Sequence, residues 1–329
     1  MFAAARRLFP IPMAPAPMVP IFMGMLCAAM ALPAAAQEDD GLGDLKLPGI
    51  SSYATPHSDR SLATSSGGTV TLSAQLNEGG EEITRGMVWR VFKPEPDADG
   101  KLPLVASAQG GTSIFDLEPG SYLVHASYGR AGATKRISVG RQAQHESFVL
   151  NAGGLKLDAT AAGGGRIPPA KLRFSIYEGD GEDSGDRALV LPNVQPNTVV
   201  RLKSGTYHVV STYGSVNAII RSDIRVEAGK LTEATVEHHA AEVTLKLVRE
   251  AGGEAIADTS WSVLNEAGEQ VKESVGAFAP MVLADGDYTA IAKNRDRIYQ
   301  KDFKVEPGQN REIEVVASEA SAVDPEAAD

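Results

Sequence analysis

The amino-acid sequence predicts an all-β protein in which a signal peptide precedes three tandem antiparallel β-sandwich domains. Two observations support this prediction. The pattern Leu-x-x-Gly-x-Tyr occurs three times, at 117–122, 202–207 and 283–288. Around each copy, apolar and polar residues alternate over short segments separated by Gly-rich turns, as half-buried strands require. We therefore interpret most of the chain as three copies of one β-rich unit.

The length of 329 residues is compatible with two or three domains, and the repeat favours three. Each copy is long enough to bury a sandwich core without disulfides or bound metals. Segments rich in small and polar residues flank the copies and predict disorder. The predicted segments are a flexible leader (37–67), three sandwich repeats (68–152, 153–239 and 240–317) and a disordered acidic tail (318–329).

Residues 1–36 have the features of a secretory signal peptide. Arg6 and Arg7 provide a positive start, 19–32 form an apolar run, and small residues follow it as a cleavage site. A membrane span is the alternative, but the run is short and is interrupted by Pro20. We expect cleavage, a periplasmic or secreted location, and no membrane span in the mature protein.

Composition excludes several classes of function. The only cysteine, Cys27, lies in the predicted signal peptide, so the mature protein would have neither a disulfide nor a thiol nucleophile. The formal net charge of −11 at pH 7 repels nucleic acid and anionic lipid. We therefore expect no nucleic acid among the partners.

Each copy begins with an alternating strand and continues, after a Gly-rich turn, into a strand with one bulky aromatic residue. These aromatic residues are Trp89, Phe174 and Trp261. Their alternation with aliphatic neighbours predicts that they fill the space between two sheets. The alternative is that Trp89 and Trp261 form exposed platforms for sugar stacking, but the alternation favours burial.

A polar loop of variable length follows the aromatic strand, which indicates a surface hairpin. In the second copy this loop faintly resembles a calcium-binding loop through Asp180, Glu182, Asp183 and Asp186. The acid expected at the twelfth position is missing, because Leu191 occupies it. We predict a solvated turn and no metal site, and these four acids are the metal candidates that the sequence offers.

We interpret the Leu-x-x-Gly-x-Tyr pattern as a structural signature. The leucine lies on the buried face of one strand, the glycine allows a positive φ, and the tyrosine begins the next strand. This turn is similar to the tyrosine corner of immunoglobulin-like sandwiches, in which the hydroxyl bonds back to the backbone. No catalytic base is evident near any of the tyrosines. The signature residues are Leu117, Gly120, Tyr122, Leu202, Gly205, Tyr207, Leu283, Gly286 and Tyr288.

Two further alternating strands close each copy, giving about six or seven short strands per repeat. With these features, residues 68–317 resemble the transthyretin-like or carboxypeptidase-regulatory-like group of bacterial β-sandwich repeats, relatives of immunoglobulin-like folds. The resemblance rests on the signature, the Gly-Gly turns and the aromatic strand. It implies a spacer, scaffold or binding module of the bacterial envelope, and it brings no active-site residues.

The sequence contains no convincing catalytic constellation. His238 and His239 are the only adjacent histidines, and adjacent strand residues face opposite sides of a sheet. We predict that the protein is not an enzyme and has no cofactor, and that it is a periplasmic scaffold or interaction module with an envelope protein as partner. The alternative is a glycan or peptidoglycan binder that uses exposed aromatic residues and loops.

Overall fold

The computed structural model describes residues 67–179 and 187–318, and the backbone of 322–323. The predicted signal peptide, almost all of the predicted leader and the acidic hairpin residues 180–186 lie outside the described residues. The described residues form 23 β-strands and two short 3₁₀ helices. The prediction of an all-β chain of tandem β-sandwiches is therefore confirmed. In this part of the chain, no helix is long and apolar enough to cross a membrane.

Seven strands form the first repeat: β1 (Gly68–Gln75), β2 (Met87–Phe92), β3 (Leu104–Gly110), β4 (Ser113–Leu117), β5 (Gly120–Tyr128), β6 (Ala131–Val139) and β7 (Gln144–Val149). They make a three-stranded sheet in the order β4-β1-β7 and a four-stranded sheet in the order β3-β2-β5-β6. Val70, Leu72 and Ala74 of β1 point into the space between the sheets and are buried. The alternation of the sequence thus places one face of each strand in the core.

Eight strands form the second repeat: β8 (Ala152–Ala161), β9 (Gly165–Arg166), β10 (Leu172–Glu178), β11 (Leu189–Val194), β12 (Val199–Lys203), β13 (Gly205–Tyr213), β14 (Ile219–Val226) and β15 (Leu231–His238). One sheet has the order β12-β8-β15, with β9 paired to β8, and the other has the order β11-β10-β13-β14. Two 3₁₀ helices, Ala162–Gly164 and Pro169–Lys171, lie between β8 and β10.

The third repeat repeats this plan with β16 (Ala240–Val248), β17 (Thr259–Asn265), β18 (Gln270–Val275), β19 (Phe278–Ala284), β20 (Gly286–Asn294), β21 (Arg297–Val305), β22 (Arg311–Val316) and β23 (Ala322–Val323). Its sheets have the orders β19-β16-β22 and β18-β17-β20-β21-β23. All three repeats therefore place three strands of one sheet against four or more strands of the other.

β23 differs from the prediction of a disordered tail. It pairs antiparallel with β21, at Ile298 and Tyr299. The prediction is wrong for these two tail residues, 322 and 323. Small and acidic residues indicate disorder because they bury little apolar surface, whereas the free edge of β21 offers unpaired backbone groups that even a short segment can satisfy.

One strand pair in each repeat is parallel. The first strand of the repeat pairs in parallel with the last: β1 with β7, β8 with β15, and β16 with β22. The predicted antiparallel pairing is found in every other strand pair of the described residues, and the sequence did not predict this parallel pair. Alternation determines which face a side chain occupies and not the direction of the neighbouring strand. The last strand follows a strand of the opposite sheet, so no hairpin forces it to run antiparallel to the first.

Each repeat has its own hydrophobic core between its two sheets. The bulky aromatic residues lie there: Trp89 and Phe174 are 0% exposed and Trp261 is 1% exposed. The indole N–H groups donate to the carbonyls of Gly111 at 2.8 Å and Gly276 at 2.9 Å, so these buried polar atoms are satisfied. The alternative that the two tryptophans are sugar-stacking platforms is therefore wrong.

The signature forms the connection from the smaller sheet to the larger one. Its leucine is buried in each repeat. Its tyrosine hydroxyl donates to the carbonyl four residues earlier, and burial raises the pKa of each phenol, so the proton stays on the donor. The hydrogen bonds run from Tyr122 to Glu118 (2.9 Å), from Tyr207 to Lys203 (2.8 Å) and from Tyr288 to Ala284 (3.0 Å).

The signature glycines differ in backbone conformation. φ is 158° at Gly205 and 146° at Gly286, values that L side chains rarely adopt. Gly120 does not have a positive φ, so the prediction is wrong there. The preceding residue, Pro119, has no N–H, whereas its counterparts in the other repeats donate their N–H to the residue before the first strand. Without that hydrogen bond, the first connection does not take the same path.

Replacing each signature tyrosine by phenylalanine removes the hydroxyl and keeps the ring. Tyr288→Phe should lower the free energy of unfolding most, by about 2 kcal/mol, because it also leaves the amide of Asn217, which donates to Tyr288 at 2.8 Å, without an acceptor. Tyr122→Phe should cost about 1 kcal/mol. Tyr207→Phe should cost less, because its hydrogen bond is exposed to water. Urea unfolding measures the series, and equal losses in all three variants would contradict the assignment.

Trp89 and Trp261 are the only two tryptophans of the chain, which makes fluorescence a direct probe of their burial. Because both are buried, iodide should quench the native protein weakly, and added saccharide should not change the quenching. The urea-unfolded protein is the control and should be quenched strongly. Strong quenching of the native protein, reduced by saccharide, would instead support a sugar platform.

Candidate protein-interaction surfaces

The first junction joins the β5–β6 hairpin of the first repeat to β12 of the second. Gly129 in the hairpin approaches Arg201 so closely that an added Cβ would lie 2.8 Å from the Arg201 Cβ. The N–H of Arg130 donates to the carbonyl of Arg201 at 2.9 Å. The Arg201 guanidinium donates to the Tyr128 hydroxyl at 3.2 Å and lies 5.5 Å from the centre of that ring. Backbone and side-chain contacts together hold the hairpin on the next repeat.

The second junction joins the β13–β14 hairpin to β19 of the third repeat. A Cβ on Gly214 would lie 2.6 Å from the Cβ of Val282. Asn217 of the same hairpin donates to the Tyr288 hydroxyl at 2.8 Å and accepts the N–H of Ala284 at 3.0 Å. Val282 also packs into the hydrophobic core of the second repeat. The core of the second repeat therefore continues across this junction.

Glu242 of the third repeat adds polar contacts to the second junction. Its carboxylate accepts the Tyr213 hydroxyl at 3.0 Å and the Lys171 ammonium at 2.5 Å, both from the second repeat. Burial, together with the hydrogen bond to Glu242, raises the pKa of Tyr213. Tyr213 is therefore protonated and able to donate.

The two junctions use equivalent positions. Gly129 and Gly214 each follow the last residue of the strand that the signature tyrosine begins, and Arg201 and Val282 each precede a signature leucine. In the third repeat the corresponding residue is Arg295, whose φ of 54° is also left-handed. A left-handed backbone alone therefore does not require glycine at this position. Glycine is required at Gly129 and Gly214 because the following repeat approaches so closely that a side chain would not fit.

The second repeat carries a cluster of charged and aromatic side chains on its larger sheet. We call the outward side of β10, β13 and β14 the repeat-2 outer face. On it, His208 Nδ1 donates to an Asp223 carboxylate oxygen at 2.7 Å, and Arg187 Nη1 lies 3.5 Å from the same oxygen. The Tyr177 ring lies beside the imidazole, with 6.4 Å between ring centres. The hydrogen bond from His208 is the main reason why the pKa of Asp223 is lowered.

Solvent reaches this cluster from one side. The side chains of His208 and Arg187 are 16% and 18% exposed, whereas that of Asp223 is 58% exposed. Gly179 continues β10 beside β13, where an added Cβ would lie 2.3 Å from the carbonyl oxygen of Thr206. Arg187, on the other side of the acidic hairpin in the sequence, contacts Asp223 on the repeat-2 outer face. The metal candidates Asp180, Glu182, Asp183 and Asp186 lie outside the described residues.

Two serine hydroxyls of the second repeat lie away from this cluster. Ser222 pairs with the buried Val209 and so faces the opposite side of the sheet from Asp223. His238 is buried with its Nε2 2.8 Å from the Ser211 hydroxyl, inside the sandwich. Among the described residues, no three His, Cys, Asp or Glu side chains are grouped so that they could hold a metal ion.

The edges of the larger sheets are a second candidate surface. The signature tyrosine pairs with Ile137 of β6, Ile224 of β14 and Phe303 of β21, which makes these edge strands equivalent. β23 covers β21 at Ile298 and Tyr299. In the part of the chain that the structure describes, no strand pairs with the corresponding parts of β6 and β14. An unpaired edge of this kind can accept an extended segment.

Sequence reasoning did not identify the cluster of His208, Asp223 and Arg187. The pairing of His208 with Asp223 could have been predicted from the β13–β14 hairpin. Counting residues outward from the turn along both strands places these two residues opposite each other. Arg187 has no such signal, since it reaches the carboxylate from a loop between two other strands. The junction glycines could have been found by aligning the three repeats at their tyrosines.

Comparison with known proteins gives one family match. Residues 242–317 match the model of a Rhizobiales growth-associated tandem repeat domain. These residues lie in the third repeat. No curated protein matches the chain significantly.

Several bacterial proteins of known structure, two of them pilins, share low similarity with this chain. The TIE protein of Bacillus anthracis is 18% identical over 77% of this chain and 51% of its own, with a TM-score of 0.24. The minor pilin of Streptococcus agalactiae is 15% identical over 52% of this chain and 94% of its own, with a TM-score of 0.29. A streptococcal ancillary pilin is 12% identical over 76% and 99%, with a TM-score of 0.29. This chain spans about half of the Bacillus anthracis protein, and similarity at this level assigns no function.

Gly214→Ala tests whether close approach holds the second junction. Gly252→Ala is the matched control, because Gly252 has a φ of 75°, against 74° at Gly214, and no atom within 4 Å of an added Cβ. Both variants should lose about 1 kcal/mol from the left-handed backbone, and Gly214→Ala about 2 kcal/mol more from overpacking against Val282. Small-angle scattering should show a wider range of interdomain distances for Gly214→Ala only. Identical behaviour of the two variants would contradict the role of the contact.

Proposed function

We propose that the protein is a non-catalytic component of the bacterial envelope whose three sandwiches form a semi-rigid array that binds a protein partner. The observation that carries the proposal is the pair of equivalent junctions, at Gly129 with Arg201 and at Gly214 with Val282. Each combines a close backbone approach with side-chain contacts between repeats. Repeats attached in this way keep their surfaces at set distances, as a scaffold requires.

An envelope location is supported by the sequence of residues 1–36, whose positive start, apolar run and small-residue end are those of a secretory signal. We propose the periplasm as the compartment. The similarity of residues 242–317 to a Rhizobiales growth-associated tandem repeat domain supports a bacterial repeat protein and is in keeping with a role in growth.

A protein partner has more support than a glycan. Glycan recognition usually needs exposed aromatic rings, and both tryptophans are buried. The polar groups of the repeat-2 outer face and the unpaired edges of β6 and β14 suit a polypeptide, which can satisfy backbone groups and charges together.

Photo-crosslinking in living cells of the native host tests the proposal. A photoreactive residue in place of the exposed Arg221 on β14 should give an adduct with one envelope protein, whereas the same residue in place of Asp99, at the exposed tip of the β2–β3 loop, should give none. The same photoreactive residue can also replace Arg136 on β6. If neither the Arg221 position nor the Arg136 position gave an adduct, while the purified protein turned over a defined substrate, the proposal would be wrong.

A further inference from the structure

We propose that β14 binds an extended acidic segment of another protein by adding it to the sheet as an antiparallel strand. This inference rests on the proposed function and specifies both the surface and the chemistry of the partner. It follows from the direction of the backbone groups of β14, from the strand already bound at the equivalent edge, and from the charges beside the edge.

The backbone of β14 has free groups on its outer edge. The Thr232 hydroxyl of β15 donates to the carbonyl of Arg225 at 3.4 Å, which shows that this carbonyl points away from β13. Alternate residues of an antiparallel strand present their N–H and C=O to the same side. The backbone groups of Asp223 and Arg221 therefore also point to the edge, where no strand of the described residues pairs with them.

The third repeat shows that this edge position accepts a strand. β23 pairs antiparallel with β21 at Ile298 and Tyr299. Aligned on the partner of the signature tyrosine, these residues correspond to Ile219 and Ile220 at the start of β14. The same architecture that receives a strand in the third repeat is thus available in the second.

The charges beside β14 favour an acidic partner. Arg221, Asp223 and Arg225 are exposed on the same side of the strand. Asp223 accepts a hydrogen bond from His208, and Arg187 lies 3.5 Å from its carboxylate. Glu227, the carboxylate that interacts with Arg225, forms a salt bridge with Lys230. No carboxylate among the described residues forms a salt bridge with Arg221. The edge is therefore positive on a chain whose formal net charge is −11.

The other two edges do not share this pattern. At the positions of Arg221, Asp223 and Arg225, one edge has a single cation between two neutral residues. The other has the same central acid as β14 but only one cation, because a glutamine stands in place of Arg221. The corresponding residues are Thr134, Arg136 and Ser138 in β6, and Gln300, Asp302 and Lys304 in β21. Only β14 combines an open edge with two arginines on one face.

The alternation of a strand specifies the partner further. Residues opposite Arg221 and Arg225 should be acidic, and the residue between them, opposite Asp223, should be neutral. The residues that alternate with these lie opposite Ser222 and Ile224, and the next one beyond Arg221 lies opposite Ile220. These three residues of β14 are half-buried, and the partner residues opposite them should be apolar. The partner segment therefore has the pattern acidic, apolar, neutral, apolar, acidic.

A synthetic peptide tests the inference on the full chain. The probe is acetyl-Val-Glu-Val-Ser-Val-Glu-Val-amide, and a second peptide has lysine in place of both glutamates. A third has N-methyl groups on alternate residues, so that it keeps the charges but cannot form the ladder of hydrogen bonds. We expect only the first to bind, and to slow hydrogen exchange at the Arg221 and Asp223 amides.

Charge-reversed variants distinguish binding at β14 from nonspecific electrostatic attraction to the whole protein. Arg221→Glu should weaken binding of the probe about tenfold and reduce its dependence on salt. Arg136→Glu makes the same charge change on the exposed edge strand of the first repeat and should leave binding unchanged. Circular dichroism and urea unfolding of both variants establish that the fold is retained.

Several results would overturn the inference. These are no binding of the probe, equal binding of the N-methylated peptide, slowed exchange elsewhere than in β14, or equal effects of the two variants. A dimer that is lost on truncation after Ser318 would assign the edge to the tail of a second copy instead. A different result would reject this inference but not the proposed function. In that case another surface of the protein would give a protein adduct in cells, while the peptide would not change hydrogen exchange in β14.

Discussion

The hydrogen bond from the signature tyrosine to the carbonyl four residues earlier fixes where each sandwich changes sheets. The strand that begins beyond this bond is β5, β13 or β20, and it runs the length of the larger sheet. In the first two repeats the residue after its last position is the junction glycine. A slip of one residue would turn every side chain of the strand to the other face and would displace the hairpin from the next repeat. The corner at the start of the strand therefore also determines the junction at its end.

The two junctions use equivalent backbone positions but different side chains. Arg201 contacts Tyr128 through its guanidinium at the first junction, a polar and partly buried contact. Val282 enters the core of the second repeat at the second junction, and Asn217 bonds to Tyr288. The Tyr288 hydroxyl thus donates to Ala284 within the third repeat and accepts a hydrogen bond from Asn217 of the second repeat. Loss of its hydroxyl should therefore weaken both the connection within the third repeat and the contact with the second repeat.

Alternation was sufficient to predict most of the fold, because the burial of one apolar face is the main driving force that orders a strand. It predicted the core position of Trp89 and Trp261 and the strands around the signature. It did not predict the parallel pairing of first and last strands, since that depends on how the chain crosses between sheets. Gly120 differs because Pro119 removes one backbone donor, an effect that the repeat pattern conceals.

The candidate site was less predictable than the fold. Asp223, His208 and Arg187 come from two strands and a loop, and their distances depend on register and on the path of that loop. The acidic hairpin attracted attention in the sequence through its composition, whereas the structure draws attention to the cluster of His208, Asp223 and Arg187, the last of which directly follows that hairpin in the sequence. Charge composition alone therefore identified a segment next to Arg187 in the sequence but none of the three residues of the cluster.

The edges of the larger sheets are closed to different extents, which leaves parts of β6 and β14 open. Of these two edges, the arginines beside β14 favour the second repeat as the binding site. β23 covers β21, and the side chains of Gln144 and Thr232 donate to edge carbonyls of β6 and β14 at the ends far from the hairpins. Proteins commonly close their sheet edges because open ones pair indiscriminately. The part of β14 that remains open lies beside Arg221, within the screening length of about 8 Å at physiological ionic strength. At that range the local arginines outweigh the net negative charge of the chain, so an acidic strand is attracted on contact while acidic surfaces at a distance are repelled.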